Sequence, residues 1–286
     1  MARTRKKILI LHAGAHKTGS SLIQKYLQNN IKQISQYKIG YIPRSKSKEL
    51  IGWRGDKLFK EPDALLNRIE RKFKRKCNCV IVSFENLLGR PFSRNMNHLY
   101  PDGIEIVSKL SSLFQEYEVR FVYYIRPQID FLQSYYLQLI NEGKCINFSD
   151  WYRDIGFHKN LSWAPLTSSI ISNFKSNAYI KDFTMIKNGQ DKYLEDFMSV
   201  IYKKKVLPFS IKHNSIHNIS IGDKGIAMSF AINHLLETKV ERKIVRRFLQ
   251  KNFNNIKYPR PTLLSEEECN SINNLWREEY NNFFEE

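Results

Sequence analysis

Residues 7–27 read KILILHAGAHKTGSSLIQKYL. Lys7 to His12 is almost continuously apolar, the pattern of a short strand buried on both faces of a parallel sheet. Ala13 to Ser21 then carries two glycines and no bulky apolar side chain. After it Leu22, Ile23, Tyr26 and Leu27 recur at helical spacing. Strand, glycine-bearing loop and helix in that order form a phosphate-binding unit, because the first amides of the helix have no partner of their own and face an anion.

Downstream, the same alternation repeats. Leu65, Ile69 and Phe73 predict one face of a helix, and Cys79 to Phe84 a second buried strand that ends at Glu85. A helix around Ile104 to Phe114 leads to a third strand, Val119 to Ile125, which Arg126-Pro127 terminates. Phe131, Tyr135 and Leu139 make the next helical stripe. A further strand is expected near Ala178 to Phe183, with a helix through Leu194, Phe197 and Val200. Beyond a loop from Pro208 to Ser220 the chain reads as helical, with Ser220 as a cap for one helix and Ser265/Glu268 as a capping box for the last. Together these predict an α/β, P-loop-like three-layer fold with a mainly parallel central sheet and a helical C-terminal part at about 220–286. Residues 1–286 show no repeat and no linker, so a single domain is expected.

The chain has 286 residues, 42% of them hydrophobic, which is enough for a full core and excludes a disordered chain. No apolar run reaches the roughly 20 residues that span a bilayer. The basic cluster Arg3, Arg5, Lys6, Lys7 precedes an apolar stretch too short for a signal peptide, so a soluble, cytoplasmic protein is expected. Its four cysteines form no C-x-x-C pair and no paired zinc pattern, in keeping with a reducing compartment and no metal site. The net charge is +18, and most of the excess lies between Met1 and Lys76, with 20 Lys/Arg against 5 Asp/Glu. Such a field attracts polyanions: nucleic acid, an acidic polysaccharide, a membrane surface or a multiply phosphorylated nucleotide.

Gly14 and Gly19 have Walker A spacing, but the usual Gly-Lys-Ser/Thr ending is absent: Gly19 is followed by Ser20-Ser21 and the lysine comes earlier, at Lys17. A loop of this kind suits a single 5′-phosphate better than the Mg²⁺-bound β- and γ-phosphates of ATP. His16-Lys-Thr-Gly-Ser-Ser21 after a buried strand resembles the 5′-phosphosulfate loop of sulfotransferases that use 3′-phosphoadenosine 5′-phosphosulfate (PAPS). Arg126, followed eight positions later by Ser134, resembles their 3′-phosphate site. Ser162-Trp-Ala-Pro-Leu166, Asp196-Phe197 and Asn218-Ile-Ser220 are similar to segments of bacterial, carbohydrate-sulfating members. The loop departs in having Ser-Ser where Thr-Thr is commoner, and Trp163 stands in place of a tyrosine.

The resemblance implies sulfuryl transfer from PAPS, leaving 3′-phosphoadenosine 5′-phosphate (PAP), to a hydroxyl or amine without a metal. Lys17 would neutralise the bridging oxygen; Thr18, Gly19, Ser20 and Ser21 would offer amides and hydroxyls; Arg126 and Ser134 would take the 3′-phosphate. Glu85 is the candidate base, at a strand's carboxyl end, and His16 the second. The other use of Glu85 is an ion pair with Lys17 or Arg126. His12 reads as core, and His98 and His158 as loop histidines. Trp151, Trp163, Tyr135 and Tyr136 could stack on adenine or sugar, or simply fill the core. A bacterial glycan, possibly anionic or lipid-linked, is the expected acceptor, with peripheral membrane contact allowed. Two other classes remain open: a P-loop kinase or nucleotidase, and a nucleic-acid-binding protein, for which the run Arg71 to Lys76 speaks but no RRM, KH or zinc pattern does.

Overall fold

The computed structural model describes residues 7–94, 96–202 and 220–284, apart from the His158 side chain. Arg3, Arg5 and Lys6, most of the segment between Pro208 and Ser220, and Asn218 lie outside the described residues. Among the described residues five strands, β1 (Ile8–His12), β2 (Ile39–Ile42), β3 (Cys79–Ser83), β4 (Glu118–Ile125) and β5 (Ala178–Asp182), pair in the order β2-β3-β1-β4-β5. Every pairing is parallel. All residues of β1 and β3 are buried, as a sheet covered by helices on both faces requires. The chain is therefore α/β with a parallel central sheet.

Four of these strands agree with the sequence reading to within a residue or two. β2 was not expected. It is four residues long and contains Gly40, too short to display a period, yet all four are buried. A Cβ at Gly40 would come within 3.2 Å of Cys77 Sγ and 3.3 Å of Lys72 Cβ, so this glycine lets the helix Pro62–Lys74 lie close against the strand. That helix buries Leu65, Ile69 and Phe73, the stripe its spacing predicts.

Two compact units can be distinguished. The first, residues 1–93, 97–126 and 162–215, contains the whole sheet. Within it Arg120, on β4, is buried and donates from Nη1 to the carbonyls of Val200 (2.6 Å) and Ile201 (2.5 Å), closing the C-terminal end of the helix Gln190–Tyr202. Its Nε and Nη2 bind Glu118. Cation and helix C-terminus attract, as the aligned peptide dipoles require.

The second unit, residues 94–96, 127–161 and 216–286, is helical where described. Helix Gln128–Asn141 buries Phe131, Leu132 and Tyr136, and Tyr136 packs on Trp151 and Phe148. Gln128 Nε2 donates to Glu279 Oε2 at 2.7 Å in the buried interior. The capping box at Ser265 forms: its Oγ accepts from Glu268 N, and Glu268 Oε2 accepts from Ser265 N. Ser220 does not cap. The helix Asp223–Asn233 starts from Gly222, while Ser220 exchanges hydrogen bonds with Asn255 beside the antiparallel bridge Ile221–Asn254.

His12 ends β1 in the core, with Nδ1 2.9 Å from Ser83 Oγ and its ring 5.2 Å from that of Phe197. Burial pushes its pKa down from 6.5 to about 3. The unfolded chain therefore takes up a proton that the folded chain refuses, and stability falls as pH drops from about 6.5 toward 3. At pH 5 the loss from this residue is expected to be about 2 kcal/mol. Urea unfolding at pH 7.5 and pH 5 checks this: His12→Leu should flatten the pH dependence by one proton's worth, whatever its own effect at pH 7.5.

Candidate functional site

Because β3, β1 and β4 are adjacent and parallel, their carboxyl ends lie on one edge of the sheet. The β1 loop, Glu85-Asn86 after β3, and Arg126 after β4 all emerge there. Crevices of this kind, beside the strand from which the chain passes to either side, are where open α/β sheets bind ligands.

The loop from Ala13 to Gly19 is held in an unusual backbone shape. Gly14 (φ 46°), Lys17 (φ 64°) and Gly19 (φ 76°) are left-handed. For Lys17, which has a Cβ, that conformation costs about 1–3 kcal/mol and persists only if its surroundings enforce it. Two contacts do so. Arg126 Nη1 donates to the Lys17 carbonyl at 2.9 Å, and the Tyr193 hydroxyl donates to the Thr18 carbonyl at 2.6 Å. In a trans peptide the N–H points opposite the C=O. With the carbonyls of Lys17 and Thr18 turned to Arg126 and Tyr193, the amides of Thr18 and Gly19 point the other way. Among the described residues, the amides of Thr18 to Ser21 donate to no backbone carbonyl. Consecutive amides with a common direction make a concavity for an anion.

The side chains divide unevenly. Lys17 and Ser21 are exposed, whereas Thr18 and Ser20 are buried. The Thr18 hydroxyl donates to the Ala15 carbonyl at 2.6 Å and closes the turn from inside. Ser20 Oγ lies beneath the loop without a hydrogen-bond partner, and a Cβ on Gly14 would come within 2.4 Å of it. Gly19 is hemmed in by Phe183 and Tyr193, each 3.1 Å from where a Cβ would sit.

His16 is buried and fully engaged. Its backbone N–H donates to Tyr100 Oη (2.7 Å), Nδ1 lies 2.8 Å from the same oxygen, and Nε2 lies 2.8 Å from Asn86 Oδ1. All three contacts are compatible with Nε2–H donating to Asn86 Oδ1 and with Tyr100 Oη accepting from the His16 amide. His16 thus ties the loop to the segments at 86 and 100.

Glu85 pairs with neither Lys17 nor Arg126. Its carboxylate accepts from Arg44 Nη2 at 2.5 Å, and Arg44 opens the helix Arg44–Ile51 directly after β2. Arg126 also stacks over Phe183, its guanidinium carbon 5.1 Å from the ring centre, and its carbonyl accepts from Trp163 Nε1 at 3.1 Å. Trp163 is fully buried, so it supports Arg126 from behind and presents no face for stacking. Asp196 receives Lys181 Nζ (2.6 Å) and the Tyr124 hydroxyl (2.8 Å) inside the helix Gln190–Tyr202. His98 is half-buried with Nδ1 3.0 Å from the Leu99 carbonyl. Ser134 belongs to the second unit, half-buried in the second turn of the helix Gln128–Asn141.

Loop, Glu85 and Arg126 are thus gathered at one sheet edge. Arg44, Asn86, Tyr100, Phe183 and Tyr193 were missed by sequence reasoning. Asn86 alone had a signal, as the neighbour of Glu85 at a strand end. Among the described residues no group of three or more His, Cys, Asp or Glu could hold a metal ion.

No protein-family model matches the chain. No curated protein matches it either. Among solved structures, the crystal structure of a sulfotransferase from Alicyclobacillus acidocaldarius is similar over 85% of this chain and 96% of that one, with 14% sequence identity and a TM-score of 0.47. A likeness that distant carries nothing about chemistry.

Tyr100→Phe removes the acceptor of the His16 amide and the partner of its Nδ1 while leaving the packing intact. Leaving a buried N–H unpaired costs about 1–3 kcal/mol. The variant should unfold at lower urea by that amount at pH 7.5, where His12 is neutral in both states.

Proposed function

We propose that this chain transfers the sulfuryl group of PAPS to a hydroxyl or amine acceptor, releasing PAP. One observation carries the reading: Arg126 holds the Lys17 carbonyl, so the amides that follow turn away from it, and guanidinium and amides stand at two distinct places on a single sheet edge. A ligand with two separate phosphates and no third fits that pairing better than a nucleoside triphosphate. The outward amides of Thr18 to Ser21 and the Ser21 hydroxyl would hold the 5′-phosphate at the N-terminus of the helix Ser20–Asn29. Thr18 and Ser20 would contribute through their amides, since their hydroxyls lie beneath the loop. Arg126 would take the 3′-phosphate; Ser134 joins it on the strength of the sequence resemblance alone.

PAPS supplies a sulfuryl group on a phosphate leaving group, so the protein's task is to align the acceptor and neutralise charge. Lys17, exposed on the loop, would place its ammonium by the bridging oxygen as negative charge collects there. Glu85 would accept the acceptor's proton once Arg44 shifts from it to the incoming ligand. His16, with both ring nitrogens engaged, holds the loop in place. An acidic acceptor would provide Arg44 with a replacement partner. This supports an anionic bacterial glycan or its lipid-linked precursor, in line with the basic first quarter of the chain. A cytoplasmic site of action belongs to the same proposal, on the sequence reading alone.

Incubation with ³⁵S-labelled PAPS and a panel of glycans, phenols and peptides tests the reaction. Labelled sugar is expected; label on a phenol alone would remove the carbohydrate part. Lys17→Ala should lower kcat by about 10²–10³-fold. Calorimetry separates the competing nucleotide classes. PAP should bind more tightly than ATP with or without Mg²⁺, and Arg126→Ala should weaken PAP by about 10–100-fold and adenosine 5′-phosphosulfate, which lacks the 3′-phosphate but uses the loop that Arg126 holds, by a smaller factor. Tighter binding of Mg·ATP than of PAP would overturn the reading in favour of a kinase or nucleotidase.

A further inference from the structure

The helix Lys239–Asn252, in the second unit, has an outward face that no described residue of that unit covers. Val240, Ile244 and Phe248 recur every four residues along it and are 67%, 62% and 51% exposed. Side chains four apart share one face of a helix, so the three form a continuous apolar row. Lys243, Arg247 and Lys251, all exposed, form a second row beside it. The only acidic residue of the helix, Glu241, is engaged elsewhere. Its carboxylate accepts from the Thr238 amide while the Thr238 hydroxyl accepts from Glu241 N, completing a capping box. The opposite face anchors the helix: Leu249 is buried, and Arg242 donates to the carbonyls of Leu236 and Glu237. Leu235 and Ile256, which flank the helix in the chain, are 67% and 77% exposed as well.

Apolar side chains left in water on a scale of three per helix face mark a contact surface, and the basic row says which kind. We propose that this helix is a membrane-surface anchor, lying in the plane of an anionic bilayer with Val240, Ile244 and Phe248 among the acyl chains and Lys243, Arg247 and Lys251 at the phosphate headgroups. A second copy of the chain would set one basic row against another. A nucleic acid would engage the basic row but leave the apolar one in water. An anionic lipid surface satisfies both rows at once. The inference does not depend on the chemistry proposed for the sheet edge.

Flotation of the full chain with vesicles of phosphatidylglycerol and phosphatidylcholine, or of phosphatidylcholine alone, tests it. Binding is expected to the anionic vesicles and to be at least tenfold weaker to the neutral ones. A chain of net charge +18 could adhere through charge alone, so the apolar row decides the matter. Ile244→Ser with Phe248→Ser should weaken binding by about 10–100-fold, and the difference from the parent should persist at about 0.5 M salt, where charge is screened. Lys243→Glu with Arg247→Glu should weaken it about tenfold or more at low salt. Phe248→Trp gives a reading independent of the serine variant's folding: its added fluorescence should shift to the blue on anionic vesicles. Unchanged binding of the serine pair, equal binding to neutral vesicles, or no spectral shift at residue 248 would overturn the proposal. So would a dimer in sedimentation that the serine pair dissolves, or an oligonucleotide that displaces the vesicles and needs the same apolar row.

Discussion

Two backbone carbonyls, those of Lys17 and Thr18, govern the character of the sheet edge. Each accepts a hydrogen bond from a distant element, one from the guanidinium that ends β4 and one from a tyrosine on the helix Gln190–Tyr202. Fixing them orients the following amides outward and sustains a left-handed lysine that an isolated loop would abandon. Were either donor absent, the peptide planes could rotate and the amides would no longer share a direction. The buried hydroxyls of Thr18 and Ser20 belong to the same construction, since they sit on the inner side of the turn.

These donors are themselves held from behind. Trp163 grips the carbonyl of Arg126, Phe183 supports its guanidinium, and Tyr193 lies fully buried against Tyr124. On the β3 side, His16 joins the loop to Asn86 and Tyr100, while Arg44 holds Glu85. Polar contacts in a dry interior restrict geometry more than they add stability, because each unpaired group there is costly. The edge is therefore a rigid arrangement of a few polar atoms on a parallel sheet. The pair Arg44–Glu85, which is partly exposed, is its most readily exchanged part.

Much of the frame was legible in the chain. β1, β3, β4 and β5 announced themselves as short apolar runs bounded by glycine, proline or charge, and the helix at residues 62–74 by its stripe. β2 was not legible, because four residues with a central glycine have no period to detect. Ser220 failed as a cap because the helix begins further on, from Gly222, and the backbone of Ser220 is committed instead to Asn255, a pairing across 35 positions. Among the site residues, Lys17 could be singled out by its place in a glycine-bounded loop, and Arg126 by the resemblance that it carries together with Ser134. The ion pair considered as the other use of Glu85 named the wrong cations, since nothing local says that the residue opening the helix after an unrecognised strand will reach it.

What the sequence by itself determined is order and chemistry: which segments are strands, where the loop breaks, which cations and carboxylates end the strands. These depend on side-chain period and backbone preference, which act over a few residues. Tertiary structure alone decided the neighbours of β1, the tyrosines and arginine that turn the loop's carbonyls, and the pairing of Glu85 with Arg44. Those contacts join residues 41 to 175 positions apart, and their energies exist only once the sheet has closed around them.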